Sequence, residues 1–374
     1  MSLTSILIRV TNSAANYTAL SGVLLKVENT TAAAALFDRL STSTPTTWLA
    51  PTNEVRAADI ASVAFAAVPE SISSNTTLLA DILSYHVLDA YVNPKQIETG
   101  RLRMIVRSFY NNGLLPGNRS QVVIIDSLND TQTGVQTLAL PYQSDNETVY
   151  GSISPVSGTN FTIYPIDAVL SLPQTLSEAA TTYFPSSGEM LAQAGLLQSL
   201  ALNKGITVFA PTDGAISDAG AVMLPLNTTQ VQTLLSNHVI NGTVAYSSVL
   251  NKDNYTSVEG ELFKFSANTT GAYVTSGGTT ARLLAIDIPI ANGVVHIIDR
   301  VLNNPNSNPE AAQSAASSYA AQATRTATET STGTATETGT AKDGAAMLST
   351  PISAGTVGSA VAIFAGIFAG AALI

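Results

Sequence analysis

The sequence predicts an α+β protein of two tandem, related domains followed by a low-complexity tail, and three observations predict it. The same order of landmarks occurs twice along the chain, helical periodicity precedes strand periodicity within the second copy, and the composition changes abruptly at Pro305. A repeat of this length implies two copies of one domain plan. Helices followed by strands imply α+β layering with an antiparallel sheet.

The repeat is carried by three matched stretches. WLAPTN at Trp48 to Asn53 matches VFAPTD at Val208 to Asp213, LLADILSYHVL at Leu78 to Leu88 matches VQTLLSNHVI at Val231 to Ile240, and FTIYPIDAVL at Phe161 to Leu170 matches VVHIIDRVL at Val294 to Leu302. From the motif proline to the histidine there are 35 residues in copy one and 27 in copy two, and from histidine to the last aspartate 81 and 61. Copy one therefore carries insertions. The larger falls between Gly100 and Asn146, where short apolar runs alternate with Asn-Gly and Pro-Gly turn signals.

In copy two a helical pattern runs from Thr175 to Leu202, with Leu191, Ala194, Leu197 and Leu200 at helical spacing. A buried strand at Ile206 to Ala210 leads into a turn over Pro211 to Gly214 and a short amphipathic helix at Val231 to Val239. Strand-like runs follow at Glu261 to Ser266, Ala272 to Thr275, Arg282 to Ile288 and Val294 to Val301, punctuated by Gly-Gly and Asn-Gly turns.

The chain has 374 residues, no cysteine and a formal charge of -10. Neither disulfides nor thiolate metal sites can hold the fold, so packing must, and domains of this size can fold on packing alone. The acidic balance, without a Lys/Arg cluster, excludes nucleic acid as partner. Charged residues are only 11% of the chain, and Ser, Thr and Asn supply the polar surface instead. Eleven Asn-X-Ser/Thr sequons, at Asn16, Asn29, Asn75, Asn118, Asn129, Asn146, Asn160, Asn227, Asn241, Asn254 and Asn268, all precede the low-complexity tail. This composition is that of a sugar-covered surface.

From Pro305 the chain turns to Ala, Ser and Thr, and every even-numbered residue from Thr324 to Thr340 is threonine. Without large apolar residues between Tyr319 and Met347, residues 305–343 are expected to be an extended, disordered stalk, dense in O-glycosylation sites. Val357 to Ile374 is uncharged and ends the given sequence with no basic flank, and the small residues Asp343, Gly344, Ala345 and Ala346 lie a polar spacer upstream of it. That arrangement fits a glycosylphosphatidylinositol (GPI) anchor signal over 344–374, with attachment at Gly344 or Asp343, better than a membrane span. The first residues, MSLTSILIRV, are too short in apolar character for a secretory leader, so an export signal is expected upstream of Met1.

The order TVFAPTD, a helix ending in NHV, then DIPIANGVVHIIDRVL resembles the fasciclin (FAS1) domain over about 130 residues of copy two. Copy one, 1–172, is a looser match that keeps Tyr85 and His86 but has Trp48-Leu49 and Thr159-Asn160-Phe161 where the family pattern differs. The resemblance implies two tandem domains, 1–172 and 173–304, each an antiparallel β wedge or sandwich with helices packed against it. The two-domain, anchored layout resembles fungal members of the family. It further implies non-catalytic adhesion at the extracellular face of the plasma membrane or the cell wall, with other surface or matrix proteins or wall polysaccharide as partners and the membrane reached through a lipid anchor only.

His86 and His238 occupy equivalent places, each following two apolar residues at helical spacing. Buried imidazoles bonded to backbone are one reading. The other comes from the resemblance, because the Tyr-His region of animal relatives is linked to receptor binding, which makes Tyr85 and His86, with Asn237 and His238, candidate binding residues. Asn53 and Asp213 follow Pro-Thr and suit capping of the following segment. Asp167 and Asp299 share one place near the last strand and suit a conformational role. No HExxH, GxSxG, P-loop or GxGxxG is present, so no catalytic residue, metal or cofactor is expected. A wall-associated carbohydrate-active protein and a purely structural wall component are the alternatives.

Overall fold

The computed structural model describes residues 17–40, 45–53, 75–92, 103–129, 136–142, 147–149, 154–155, 161–166 and 169–331. They form two compact units, one of 17–111 with 120–172 and one of 112–119 with 173–331.

The first unit opens with helices α1 (Thr18–Val27) and α2 (Thr31–Leu40), followed by strand β1 (Thr46–Pro51). Helix α3 (Thr76–His86) runs directly into the two-residue strand β2 (Val87–Leu88). Then come β3 (Met104–Arg107), β4 (Val122–Asn129), β5 (Gln136–Leu140), β6 (Glu147–Val149), β7 (Ser154–Pro155) and β8 (Phe161–Ile166). All six residues of β1 are buried, because the strand is covered on both faces. Trp48 and Ala50 join Leu20, Leu24, Leu79 and Leu83 from the helices. Leu49 joins Tyr85, Val106, Ile125 and Tyr164 on the other side.

The second unit repeats this plan, with described elements α4 (Leu176–Tyr183), α5 (Pro185–Gln193), α6 (Leu196–Leu202), strand β9 (Ile206–Pro211), α7 (Asp213–Met223) and α8 (Thr228–Ser236). Strands β10 (Val239–Asn241), β11 (Tyr255–Thr256), β12 (Leu262–Asn268), β13 (Gly271–Ser276), β14 (Thr279–Ile290) and β15 (Gly293–Ile298) follow. The hairpin between β13 and β14 turns on Gly277 and Gly278, at φ 57° and 81°. Two consecutive positive φ values are what a two-residue turn matching strand twist requires. The predicted strands of copy two are all present, with ends shifted by one to three residues: β13 and β14 are longer than expected, β12 begins one residue later, and β15 stops at Ile298 rather than Val301.

The structure corrects four expectations. The sheets are mixed rather than antiparallel: β1 runs parallel to β8, and β9 parallel to β15, each pair in register over six residues. Such strands are buried on both faces and read as continuous apolar runs, which carry no sign of their direction. Thr175 to Leu202 is three helices, broken at Phe184–Pro185 and at Gly195, which has φ 72°. The turn expected at Pro211 to Gly214 ends at once in α7, whose first turn is capped by Thr212 Oγ accepting from Ala215 N (3.2 Å).

The fourth correction is the largest. Within the segment expected to be an extended stalk, Pro309–Ser331 is a 23-residue helix, α9. Proline at its first position and alanine throughout suit a helix, and Asn308 Oδ1 caps it through Ala311 N (3.2 Å). Tyr319 fixes it to the domain. Its ring is buried with Leu250, Tyr255 and Leu302, and its hydroxyl accepts from Thr256 N (2.9 Å). The stalk residues beyond Ser331, the anchor signal with Asp343 and Gly344, and residues 1–16 lie outside the described residues.

Candidate functional site

The paired histidines hold the helix to the return of the last strand in each unit. His86 Nδ1 is 2.7 Å from Ile82 O, and its Nε2 accepts from Leu170 N (2.9 Å). His238 repeats this with Leu234 O (2.8 Å) and Leu302 N (2.8 Å). An acceptor nitrogen bears no proton, so both rings are neutral with the proton on Nδ1. Burial pushes both pKa values down to about 4, against the raising effect of the helix carbonyl. Protonating Nε2 would set it against the amide N–H it now accepts from.

A second shared arrangement fixes a single loop residue by both of its backbone groups. In the first unit Thr47 Oγ accepts from Val92 N (2.9 Å), and Tyr164 donates its hydroxyl proton to Val92 O (2.7 Å). In the second, Thr207 Oγ accepts from Ala245 N (2.8 Å), and His296 Nε2 lies 3.0 Å from Ala245 O. Tyr164 and His296 hold the same register on the parallel strand, opposite Leu49 and Phe209. His296 Nδ1 accepts from Asp287 N (3.2 Å), so its proton is on Nε2, the reverse of His238. Asp287 is buried at φ 62°. Its carboxylate takes Ser247 N (2.7 Å) and the Ser247 hydroxyl.

The residue before each clasping histidine differs in what it holds. Tyr85 donates to Val122 O (2.9 Å) on β4, within the region lengthened in copy one. Asn237 donates to Asn304 O and Asn306 O (2.8 and 2.9 Å) on the approach to α9, and accepts from Ser257 Oγ (2.6 Å). Tyr85, His86, Asn237 and His238 are all buried.

Asn53 and Asp213 each cap a helix earlier in the chain, and the helix that Asp213 begins is capped by Thr212 instead. Asn53 Oδ1 accepts from Ala19 N (3.0 Å) at the start of α1, and Asp213 Oδ1 from Ser186 N (3.0 Å) at the start of α5. Asp299 Oδ1 accepts from Arg282 N (2.7 Å), while its own N–H donates to Arg282 O (3.1 Å), joining the end of β15 to β14. Asp167 lies outside the described residues. Among those residues no three His, Asp or Glu side chains gather as a metal site, and no helix is long and apolar enough to cross a membrane.

Sequence reasoning singled out His86 and His238 and passed over Thr47, Thr207, Tyr164 and His296. The available signal was their equal placement in the two copies, since Thr47 and Thr207 stand immediately before the aligned motif.

Seven sequon asparagines have described side chains, namely Asn29, Asn75, Asn118, Asn227, Asn241, Asn254 and Asn268, and all seven are exposed. The buried asparagines Asn237, Asn292 and Asn304 all stand outside sequons. Asn16, Asn146 and Asn160 lie outside the described residues, and Asn129 is described in its backbone alone.

A family model of the fasciclin domain matches residues 24–173 and 184–305. A fasciclin-like arabinogalactan protein of Arthroderma benhamiae is 27% identical over 237 residues, 63% of this chain and 53% of that protein. Fasciclin-like arabinogalactan protein CTB11 of Cercospora beticola is 26% identical over 145 residues, 37% of each chain. Protein sll1483 of Synechocystis is 31% identical over 117 residues, 30% of this chain and 62% of that one. This chain therefore spans less than two thirds of the length of each. Among solved structures, a FAS1 domain pair from the insect cell adhesion molecule Fasciclin I aligns over 76% of this chain and 97% of that one, at 17% identity and a TM-score of 0.36.

Proposed function

Because the chain belongs to the fasciclin domain family, we propose that it is a surface glycoprotein of the adhesion type, acting by binding rather than by turnover. The observation that carries this reading is the exposure of every described sequon asparagine, while the buried asparagines stand outside sequons. A chance scatter of Asn-X-Ser/Thr would place some of them in the core. The names of two fungal relatives, both fasciclin-like arabinogalactan proteins, support a cell-surface setting.

In this reading the two domains are displayed by the threonine-rich segment beyond α9, and a glycolipid anchor attached at Gly344 or Asp343 holds them at the outer face of the membrane or in the wall. The partner is another surface or matrix protein or a wall polysaccharide. Tyr85, His86, Asn237 and His238 serve binding indirectly, by fixing β4, the return of the last strand and the approach to α9.

The test is made on intact cells expressing the full-length protein with its export signal. Phosphatidylinositol-specific phospholipase is expected to release the protein into the medium, and beads coated with the released protein are expected to adhere to cells or to isolated wall. Retention of a mature chain ending at Ile374 would overturn the anchor. Beads that adhere no better than bare ones would overturn the adhesive role.

A further inference from the structure

The helices that present the clasping histidines begin alike. Asn75 is the N-cap of α3 and Asn227 the N-cap of α8, each eleven residues before its histidine. Asn75 Oδ1 accepts from Leu78 N (3.1 Å), and Asn227 Oδ1 from Gln230 N (2.9 Å). In α8 the box is closed by Gln230 Oε1, which accepts from Asn227 N (3.1 Å). The same two asparagines open the sequons Asn75-Thr76-Thr77 and Asn227-Thr228-Thr229. Both are exposed, as are Thr77 and Thr229.

Capping does not by itself call for asparagine. Asp and Ser cap as well, and Asp would add a favourable charge at the positive end of the helix. Capping alone also places no demand on the residue two positions later. Asparagine with threonine at that spacing, in both copies, meets the requirement of a glycan acceptor.

The two uses fall on different atoms of one carboxamide. The cap employs Oδ1, and Nδ2 has no partner among the described residues. We propose that Asn75 and Asn227 each carry an N-linked glycan while continuing to cap their helices. The inference rests on the surface-glycoprotein reading above. In the modification Nδ2 bonds to the anomeric carbon of an oligosaccharide donated by a lipid-linked oligosaccharyl pyrophosphate. The bond from that carbon to the phosphate oxygen breaks, the lipid pyrophosphate departs and Nδ2 loses one hydrogen. The product is still an amide, so Oδ1 keeps its lone pairs and its hydrogen bond. A sugar chain is thereby rooted at the same point of both domains, at the outer end of the helix whose inner end is fixed by the histidine.

The test is glycopeptide mapping of the full chain secreted from a eukaryotic host, with thermal unfolding of the same samples. Asn75 and Asn227 are expected to be occupied, and Thr77→Ala and Thr229→Ala each to lose one glycan while keeping the cap. Asn227→Asp should lose the glycan and unfold with Thr229→Ala, whereas Asn227→Ala should unfold a few degrees lower than either. Bare Asn75 and Asn227 beside occupied Asn241, Asn254 or Asn268 would overturn this proposal and leave the glycoprotein reading standing. No glycan at any sequon would overturn that reading itself. Occupied sites with Asn227→Ala as stable as Asn227→Asp would overturn the dual use.

Discussion

The position before the clasping histidine separates the two units more clearly than any other. His86 and His238 make the same two bonds to the same two kinds of backbone group, yet Tyr85 holds β4 and Asn237 holds the approach to α9. The histidine secures what the copies share, and its neighbour secures what each has acquired. A repeat can diverge in this way at low cost, because the altered contact is local to the added segment.

The largest test removes the shared clasp. His86→Ala or His238→Ala leaves a backbone amide and a helix carbonyl without their partner and opens a cavity, so each should cost about 4 kcal/mol. Urea unfolding of the two variants checks the equivalence. Costs differing by more than about 2 kcal/mol would show that the matching bonds do unequal work.

Acid probes the same clasps without mutation. Each histidine has a folded pKa of about 4 against an unfolded value near 6.5. Between those values the unfolded chain binds the proton and the folded chain does not, so stability rises with pH. The contribution is complete above about pH 6.5 and is lost as pH falls to about 4, at about 3 kcal/mol per histidine. Chemical unfolding across that window should show the slope, and His86→Ala with His238→Ala should flatten it. An unchanged slope in the double variant would place the titration elsewhere.

These clasps were legible because a polar residue on an apolar helix face, recurring at the same place in a repeat, has few other uses. Other features were illegible for physical reasons. The direction of β1 against β8 is set by the return path of the chain, whereas two short apolar runs read alike in either direction. Helix α7 contains Gly214 and Gly220, which lower helix propensity, and it is fixed by a threonine cap and by packing. Helix α9 was hidden because its attachment depends on one aromatic, Tyr319, in a run of small residues. Thr47 and Thr207 act on loop residues 45 and 38 positions away, beyond any local pattern.

Gly293 sharpens the comparison of the two parallel pairs. A Cβ there would stand 2.0 Å from Ile206 O, a backbone atom of the neighbouring strand. The register-equivalent residue of the first unit is Phe161, opposite Thr46. The close approach of Ile206 O thus calls for glycine at 293, and Gly293→Ala should cost about 2 kcal/mol through forced separation of the strands. Thermal unfolding of that variant measures it. A neutral result would mean that β9 and β15 part at that point without cost.

The smallest effect concerns α9, which among the described residues belongs to the second unit. Tyr319→Phe keeps the ring that packs with Leu250 and Leu302 but removes the acceptor for Thr256 N. An amide in β11 then loses its partner in a partly buried place, at a cost of about 1 kcal/mol. Tyr319→Ala removes the packing as well and should cost about 3 kcal/mol. If α9 is part of the domain, both losses appear in the unfolding of the second unit, and hydrogen exchange in residues 309–319 slows together with that of β11. If instead Tyr319→Ala leaves stability unchanged, the helix is an appendage, and the domain ends near Asn304 as the sequence alone had suggested.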